Sequence, residues 1–194
     1  MNVEIIVPEG VYEEIVDRPL KSKRFALESL RIKRLFSDGV ISEVDADPEK
    51  TKEILKTSNH LFYMKKRPIQ ILHRGEAEAL SLLVEHDCEA LLVDERTTRL
   101  LVERPEKLLE VLSRQNHKHV EMDKGKLNKL KKIIPKTNII RSTEIAAIAY
   151  EKGILARYYR FDQPQLLDAA LAALKYSGCA ISWQEIEEYK KAIS

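Results

Sequence analysis

Four carboxylates stand at the ends of apolar runs or at the starts of helical ones: Glu14, Glu76, Asp94 and Glu144. Oxygen donors of this kind suit hard divalent cations such as Mg2+ or Mn2+, which keep waters and bind phosphates. The matching reaction is phosphodiester hydrolysis, in which a metal lowers the pKa of a water and steadies charge on phosphorus. Other chemistries lack their residues. The chain has no GxGxxG, GxxxxGK(S/T) or GxSxG, so nucleotide-fold and serine-hydrolase readings have no support. It has no HExxH or CxxC either, and the HxH pair of His117 and His119 has no further ligand beside it. A phosphoacceptor receiver domain needs an adjacent acidic pair after its first strand and a late lysine, and neither can be assigned.

The stretch RGEAEALSLLVEHDCEALLVDER, Arg74 to Arg96, organises the rest. Ala79, Leu80, Leu83 and Val84 recur at helical spacing, and the continuous run Ala90-Leu91-Leu92-Val93 reads as a buried strand. A helix of about a dozen residues is ~18 Å long and a five-residue strand ~17 Å. The two run in opposite directions, so the helix start lies beside the strand end. That places Glu76 and Asp94 together at the carboxyl edge of the sheet, where open α/β folds bind ligands. Phase puts Glu76 on the face of Leu80 and Leu83 and turns Glu78 and Glu85 away. A carboxylate heading a core-facing stripe is costly unless it is paired or holds a cation. A plainer use stays open: Glu76 favours the helix start, and Asp94 caps the next helix.

Upstream, Val3–Val7 reads as a strand closed by Pro8, followed by a helix from Val11 to Asp17 whose phase favours Glu14 over Glu13. The helix after Pro19 carries Lys21, Lys23, Arg24, Arg31, Lys33 and Arg34 against a single Glu28. Its apolar residues are Phe25, Leu27, Leu30, Ile32, Leu35 and Phe36. Such a cationic helix could grip a polyanion backbone, or it could be an ordinary solvated face. Val40–Val44 alternates like a strand. Asp47-Pro48 starts a helix that carries Ile54, Leu55, Leu61 and Phe62 and ends before Pro68.

Past Arg96, helices begin near Thr97 and at Pro105. Residues 114–136 are polar and lysine-rich and read as an inserted loop and helix. Asn138–Ile140 is a short strand, and Arg141-Ser142-Thr143-Glu144 opens a helix that ends at Gly153. The tail holds a helix from Pro164 to Tyr176 and a last one opened by the capping box Ser182-Trp183-Gln184-Glu185, with Trp183 as a packing anchor.

The 194 residues suffice for one α/β domain with a small appendage. The 44% apolar content can fill a core, while 33% charged residues give a dense surface charge. A net charge of +2 makes no case for nucleic acid, so any such signal is local. Cys88 and Cys179 lack metal spacing and are expected as free thiols of a cytoplasmic protein. No apolar run approaches the ~20 residues of a membrane span.

The segment GEAEALSLLVEHDCEALLVDERTTR resembles the GEAEA-to-Asp stretch of PIN-like proteins, small α/β metal-dependent nucleases that include many toxin ribonucleases. VPEGVYEEIV resembles that family's second strand and helix, and RSTEIAAIAYEKGIL its late strand-to-helix segment. The resemblance covers roughly residues 3 to 155, with 114–136 as an insertion and 160–194 as a helical appendage. It implies a single domain over 1–194: a three-layer α/β/α fold with a mainly parallel sheet. It implies an endoribonuclease in which Glu14, Glu76 and Asp94 are the catalytic, metal-holding acids. Glu144, or Ser142 beside it, is a fourth candidate, and the cofactor is Mg2+ or Mn2+. RNA contacts are expected from Lys21, Lys23, Arg24, Arg31, Lys33, Arg34 and Arg96. A protein inhibitor of antitoxin type and a homodimer are partners to test. The family begins with a central strand ending in an Asp, whereas only Met1-Asn2 precede the first strand here. Either the start lies upstream or one ligand is missing. The missing ligand motivates the alternative of a non-catalytic module that binds RNA or a protein partner.

Overall fold

A computed structural model describes residues 3–158 and 163–193. Met1-Asn2 and the expected start of the appendage at residue 160 lie outside the described residues. The chain separates into two compact units. The first holds the chain up to Leu91 together with Leu100–Thr137, and the second holds Leu92–Arg99 and the chain from Asn138 onward.

In the first unit, β1 (Ile5–Val7) stops before Pro8, which has no N–H to continue a ladder. The Pro8 carbonyl accepts from the Val11 and Tyr12 N–H groups and starts α1 (Glu9–Tyr12). The helix widens into a π turn over Glu13–Asp17, then narrows again as α2 (Arg18–Ser22). Beside that turn the buried Ser29 hydroxyl, on α3 (Ala26–Ser37), donates to the Ile15 carbonyl at 2.8 Å. Next, β2 (Ile41–Glu43) pairs parallel with β1, Ile5 opposite Ile41 and Val7 opposite Glu43.

The helix α4 (Pro48–Ser58) begins as the sequence predicts, with Pro48 in its first turn and the Asp47 carboxylate accepting from the Glu49 N–H at 2.8 Å. It ends sooner than the apolar spacing suggests. Phe62 lies instead in β3 (Phe62–Met64), which forms an antiparallel hairpin with β4 (Arg67–Pro68). Asn59 explains the stop. Its Oδ1 accepts from the N–H groups of Ile71 (2.6 Å) and Leu72 (2.8 Å), and its Nδ2 donates to the Leu72 carbonyl (3.0 Å). That side chain ties the helix end to the segment that follows β4, and Lys65 and Lys66 reverse the chain with φ of 49° and 64°.

The organising stretch gives the helix and strand expected, α5 (Arg74–Glu85) followed by β5 (Ala90–Leu92), but the strand is not buried on both faces: Leu91 is buried while Leu92 is exposed. Then come α6 (Arg96–Glu103) and α7 (Pro105–Asn116), and the division between the units falls inside β5 and α6. The lysine-rich stretch contributes β6 (Glu121–Met122), antiparallel to β3, and α8 (Lys124–Ile133). Val16, Ile54, Leu61, Phe62, Leu72 and Leu80 are fully buried in this unit.

In the second unit the chain leaving β5 pairs with β7 (Asn138–Ile140), the Val93 N–H donating to the Ile140 carbonyl at 3.0 Å. Four helices follow: α9 (Ser142–Glu151), α10 (Ile154–Tyr158), α11 (Gln163–Tyr176) and α12 (Trp183–Ile193). Leu167, Leu171, Cys179, Ile181 and Ile186 form the core, with Ala146 and Tyr150 of α9 packed on it. The last capping box is present: the Ser182 N–H donates to Glu185 at 2.7 Å, and the Glu185 N–H donates to the Ser182 hydroxyl at 3.1 Å. Trp183 is 51% exposed and meets Tyr176 edge to face, so Ile186 is the anchor of this helix. Both thiols are free. The fold is α/β and mainly helical, with short sheets and a helical C-terminal region. Among the described residues no helix is long and apolar enough to cross a membrane.

Candidate functional site

Glu14 lies within the π turn, a local widening often found at functional sites. Its side chain is about half exposed, and Oε1 accepts from the Arg18 guanidinium at 3.4 Å. Glu76 sits in the first turn of α5, half-buried, where its Oε2 accepts from the His73 N–H at 2.6 Å. That bond is the plainer capping use anticipated for it.

The buried carboxylate of α5 is Glu78, which the periodicity had turned away from the core. The reason is tertiary. Helix α1 crosses α5 where Gly10 meets Gly75, so a second face of α5 is covered. The Gly10 N–H donates to Glu78 Oε2 at 2.8 Å, and Arg74 bridges Glu78 and Glu9. One N–H of α1 and one guanidinium thereby satisfy a carboxylate that would be costly alone.

A second acid that sequence reasoning missed is Glu43, at the end of β2. Its pKa is raised, first by burial and then by the negative charges of Glu9, Asp45 and Asp17. The signal was present in the sequence as acids closing a strand, but Glu43 was read only as part of an alternating run.

In the second unit Asp94 is half-buried, and its Oδ1 accepts from the Ser142 N–H, the first residue of α9, at 2.9 Å. Asp94, from the strand end, and Ser142, from the late strand-to-helix segment, are thus brought together across 48 positions of sequence, a pairing the sequence did not announce. The cap of α6 comes from Glu95 instead, which accepts from the Thr98 N–H at 2.5 Å. Burial pushes the Glu95 carboxyl up, but hydrogen bonds from Thr98 and Thr97 outweigh it and leave the pKa lowered. Glu144 caps its own helix, Oε2 accepting from the Arg141 N–H at 2.8 Å. The buried Arg141 guanidinium donates to Glu185 (3.2 Å) and to the Ala180 carbonyl (2.7 Å). Burial raises the Glu185 pKa, while hydrogen bonds from Ser182 and Arg141 lower it further than that, so its net shift is downward.

These directions fix a pH response. A carboxyl whose pKa is raised by folding costs stability while charged, and the cost fades as pH falls through its folded value. One whose pKa is lowered stabilises above the ordinary glutamate range, and that gain is lost as pH falls through the folded value. Thermal unfolding is therefore expected to show Glu43→Gln melting slightly above wild type at neutral pH, the gap closing as the carboxyl range is entered. Glu185→Gln should melt below wild type, and its gap should persist further into acid. Parallel curves for all three proteins across that range would contradict the assignment.

The basic residues Lys21, Lys23, Arg24, Arg31, Lys33 and Arg34 are all exposed, as is Arg96. Arg34 pairs with Asp38 at 3.3 Å, and Arg24 lies over the Phe25 ring at 5.0 Å. The apolar residues of α3 are not core residues: Leu27 and Leu30 are exposed, as is Phe25 just before it.

Carboxylate oxygens have the right chemistry for Mg2+ or Mn2+. Glu14 and Glu76 belong to the first unit, Asp94 and Glu144 to the second. Each of the four already has a protein partner. Among the described residues no group of three or more His, Cys, Asp or Glu side chains is arranged to hold a metal ion.

No curated protein and no solved structure matches the chain. A family model described as a PIN domain matches residues 1–106, a span that takes in Glu14, Glu76 and Asp94 and more than half of the 194 residues. On that match, the chain belongs to the PIN domain family.

Proposed function

We propose that this protein is an endoribonuclease that hydrolyses RNA phosphodiester bonds, with Glu14, Glu76 and Asp94 as its site acids and Glu144 as a fourth. Membership of the PIN family supports nuclease-type function in general, and PIN domains generally use divalent metal ions. The observation that carries the finer reading is that the family match spans all three acids. Mg2+ or Mn2+ is the proposed ion, on the oxygen-only donor set. The exposed cations Lys21, Lys23, Arg24, Arg31, Lys33 and Arg34, with Arg96, are the proposed grip on the RNA backbone. A protein inhibitor and a homodimer belong to the same proposal, as does a single functional domain over 1–194.

A second reading is favoured by one observation: Glu76, Asp94 and Glu144 each already accept from a backbone N–H at a helix start. On it, the protein binds RNA or a protein partner without turnover. Incubation of the protein with single-stranded and structured RNA, with Mg2+, with Mn2+ and with EDTA, separates the two. Cleavage that needs the metal supports the nuclease. Salt-sensitive binding without cleavage in any condition supports the binding module.

A further inference from the structure

We propose that the tip of the β3–β4 hairpin, Lys65-Lys66-Arg67, is a contact point for the phosphate backbone of RNA, separate from the basic residues between Lys21 and Arg34. The inference deepens the reading above by adding a place where RNA is held, and it rests on that reading only for the choice of polyanion.

The turn is unusual in its residues. The register pairs Met64 with Arg67, leaving Lys65 and Lys66 as a two-residue loop, both with positive φ. Such a loop favours Asn-Gly, because side chains with a full Cβ resist the left-handed region. Here the strained positions carry two lysines, and a third cation follows at Arg67. All three are exposed. Among the described residues none of them is ion-paired, whereas Lys129 and Lys131 of α8 pair with Glu53 (2.7 Å) and Glu106 (3.6 Å).

The root of the hairpin is held firmly. Phe62 is fully buried, the Ile69 N–H donates to the Phe62 carbonyl at 2.9 Å, and the Asp123 N–H donates to the Leu61 carbonyl at 2.8 Å. The three bonds of Asn59 close the loop behind it. A projecting group on such a root is pre-organised, which cuts the ordering cost of binding. Topology adds charge at the same end. Strand β6 runs antiparallel to β3, with Phe62 opposite Met122 and Tyr63 opposite Glu121. The chain entering β6 therefore arrives from the tip end of the sheet, and it carries the exposed residues His117, Lys118 and His119. Glu121 is the one acid in that paired stretch, and it lies opposite Tyr63, inward of the turn.

The test is fluorescence anisotropy with a labelled single-stranded RNA in EDTA, where no metal-dependent cleavage intrudes. The variant K65N/K66G removes two charges yet supplies the residues this turn prefers, so its fold is preserved, which a thermal melt checks. It should weaken RNA binding by about 10-fold near 0.1 M salt and lower the slope of log affinity against log salt by about 1.4. K65R/K66R should bind as wild type does. Unchanged affinity and slope in a folded K65N/K66G, or a wild type that binds no RNA, overturns the inference. Displacement of RNA by polyglutamate as effectively as by unlabelled RNA also overturns it, assigning the tip to an acidic protein. Cleavage is measured separately. Normal binding by K65N/K66G alongside metal-dependent cleavage by the wild type sinks this inference alone. Weakened binding by K65N/K66G with no cleavage anywhere sinks the nuclease reading alone.

Discussion

Replacing Asp94 with Asn is expected to lower RNA cleavage by at least about 100-fold while the protein stays folded, since a positioned carboxylate is typically worth 10²–10⁴. The two halves of that result have different causes. Asp94 does structural work through Oδ1, which accepts from the Ser142 N–H at 2.9 Å and fixes the start of α9. An asparagine carbonyl oxygen can accept the same bond, so the cap survives at the cost of its charge assistance, about 1 kcal/mol. What asparagine cannot do is carry the negative charge or take a proton from an attacking water. The same logic applies to Glu76→Gln, because glutamine in that first-turn position still accepts from the His73 N–H. The measurement is RNA cleavage rate beside thermal melting for both variants. If both remain folded and cleave as wild type does, Glu76 and Asp94 are helix caps and nothing more.

Gly10→Ala is expected to destabilise the first unit by about 2 kcal/mol, within the range typical of overpacking. A Cβ at Gly10 would stand 2.5 Å from Glu78 Oε2 and 3.2 Å from Gly75 Cα. A free carboxylate could swing away, but this one is buried and engaged by both the Gly10 N–H and Arg74. Moving it breaks those bonds, and Gly75 is itself buried in the first turn of α5. A chain of this size should lose roughly 4–8 °C in Tm for that change. A double-mutant cycle with Glu78→Ala supplies the check, because the alanine methyl then has less to displace. Coupling of about 1 kcal/mol or more is expected between neighbours of this kind. Strictly additive effects would mean that the crossing is looser than the distances say.

Local signals were the legible ones. The helix and strand of the Arg74–Arg96 stretch followed from apolar spacing, and the caps at Asp47 and Ser182 followed from residue type. What escaped depended on partners remote in sequence. Glu78 is buried because α1, 68 residues earlier, lays a glycine against it, and no periodicity within α5 records that. The hairpin after Asn59 was hidden because its turn is built from lysines where asparagine and glycine would have announced it. The apolar residues of α3 include Leu27 and Leu30, yet both are exposed, so the sequence pattern gave the helix but not its surroundings. Of the candidate site, the residue types and the capping use of Glu76 could be read ahead. That Glu14 already serves Arg18, Asp94 the Ser142 N–H and Glu144 the Arg141 N–H could not, because capping and catalysis ask for the same side chains.

The π turn at Glu13–Asp17 acts as a frame shift written into a helix. It accommodates one residue more than the helix it interrupts, and each residue of an α-helix advances the facing direction by ~100°. Everything from Glu9 to Tyr12 is therefore rotated by about that angle relative to Arg18–Ser22, compared with an unbroken helix. Deleting a single residue inside the turn would leave the composition almost untouched. It would also swing Gly10 off the Glu78 carboxylate, so the seat of α1 on α5 depends on a count of residues as much as on their identity.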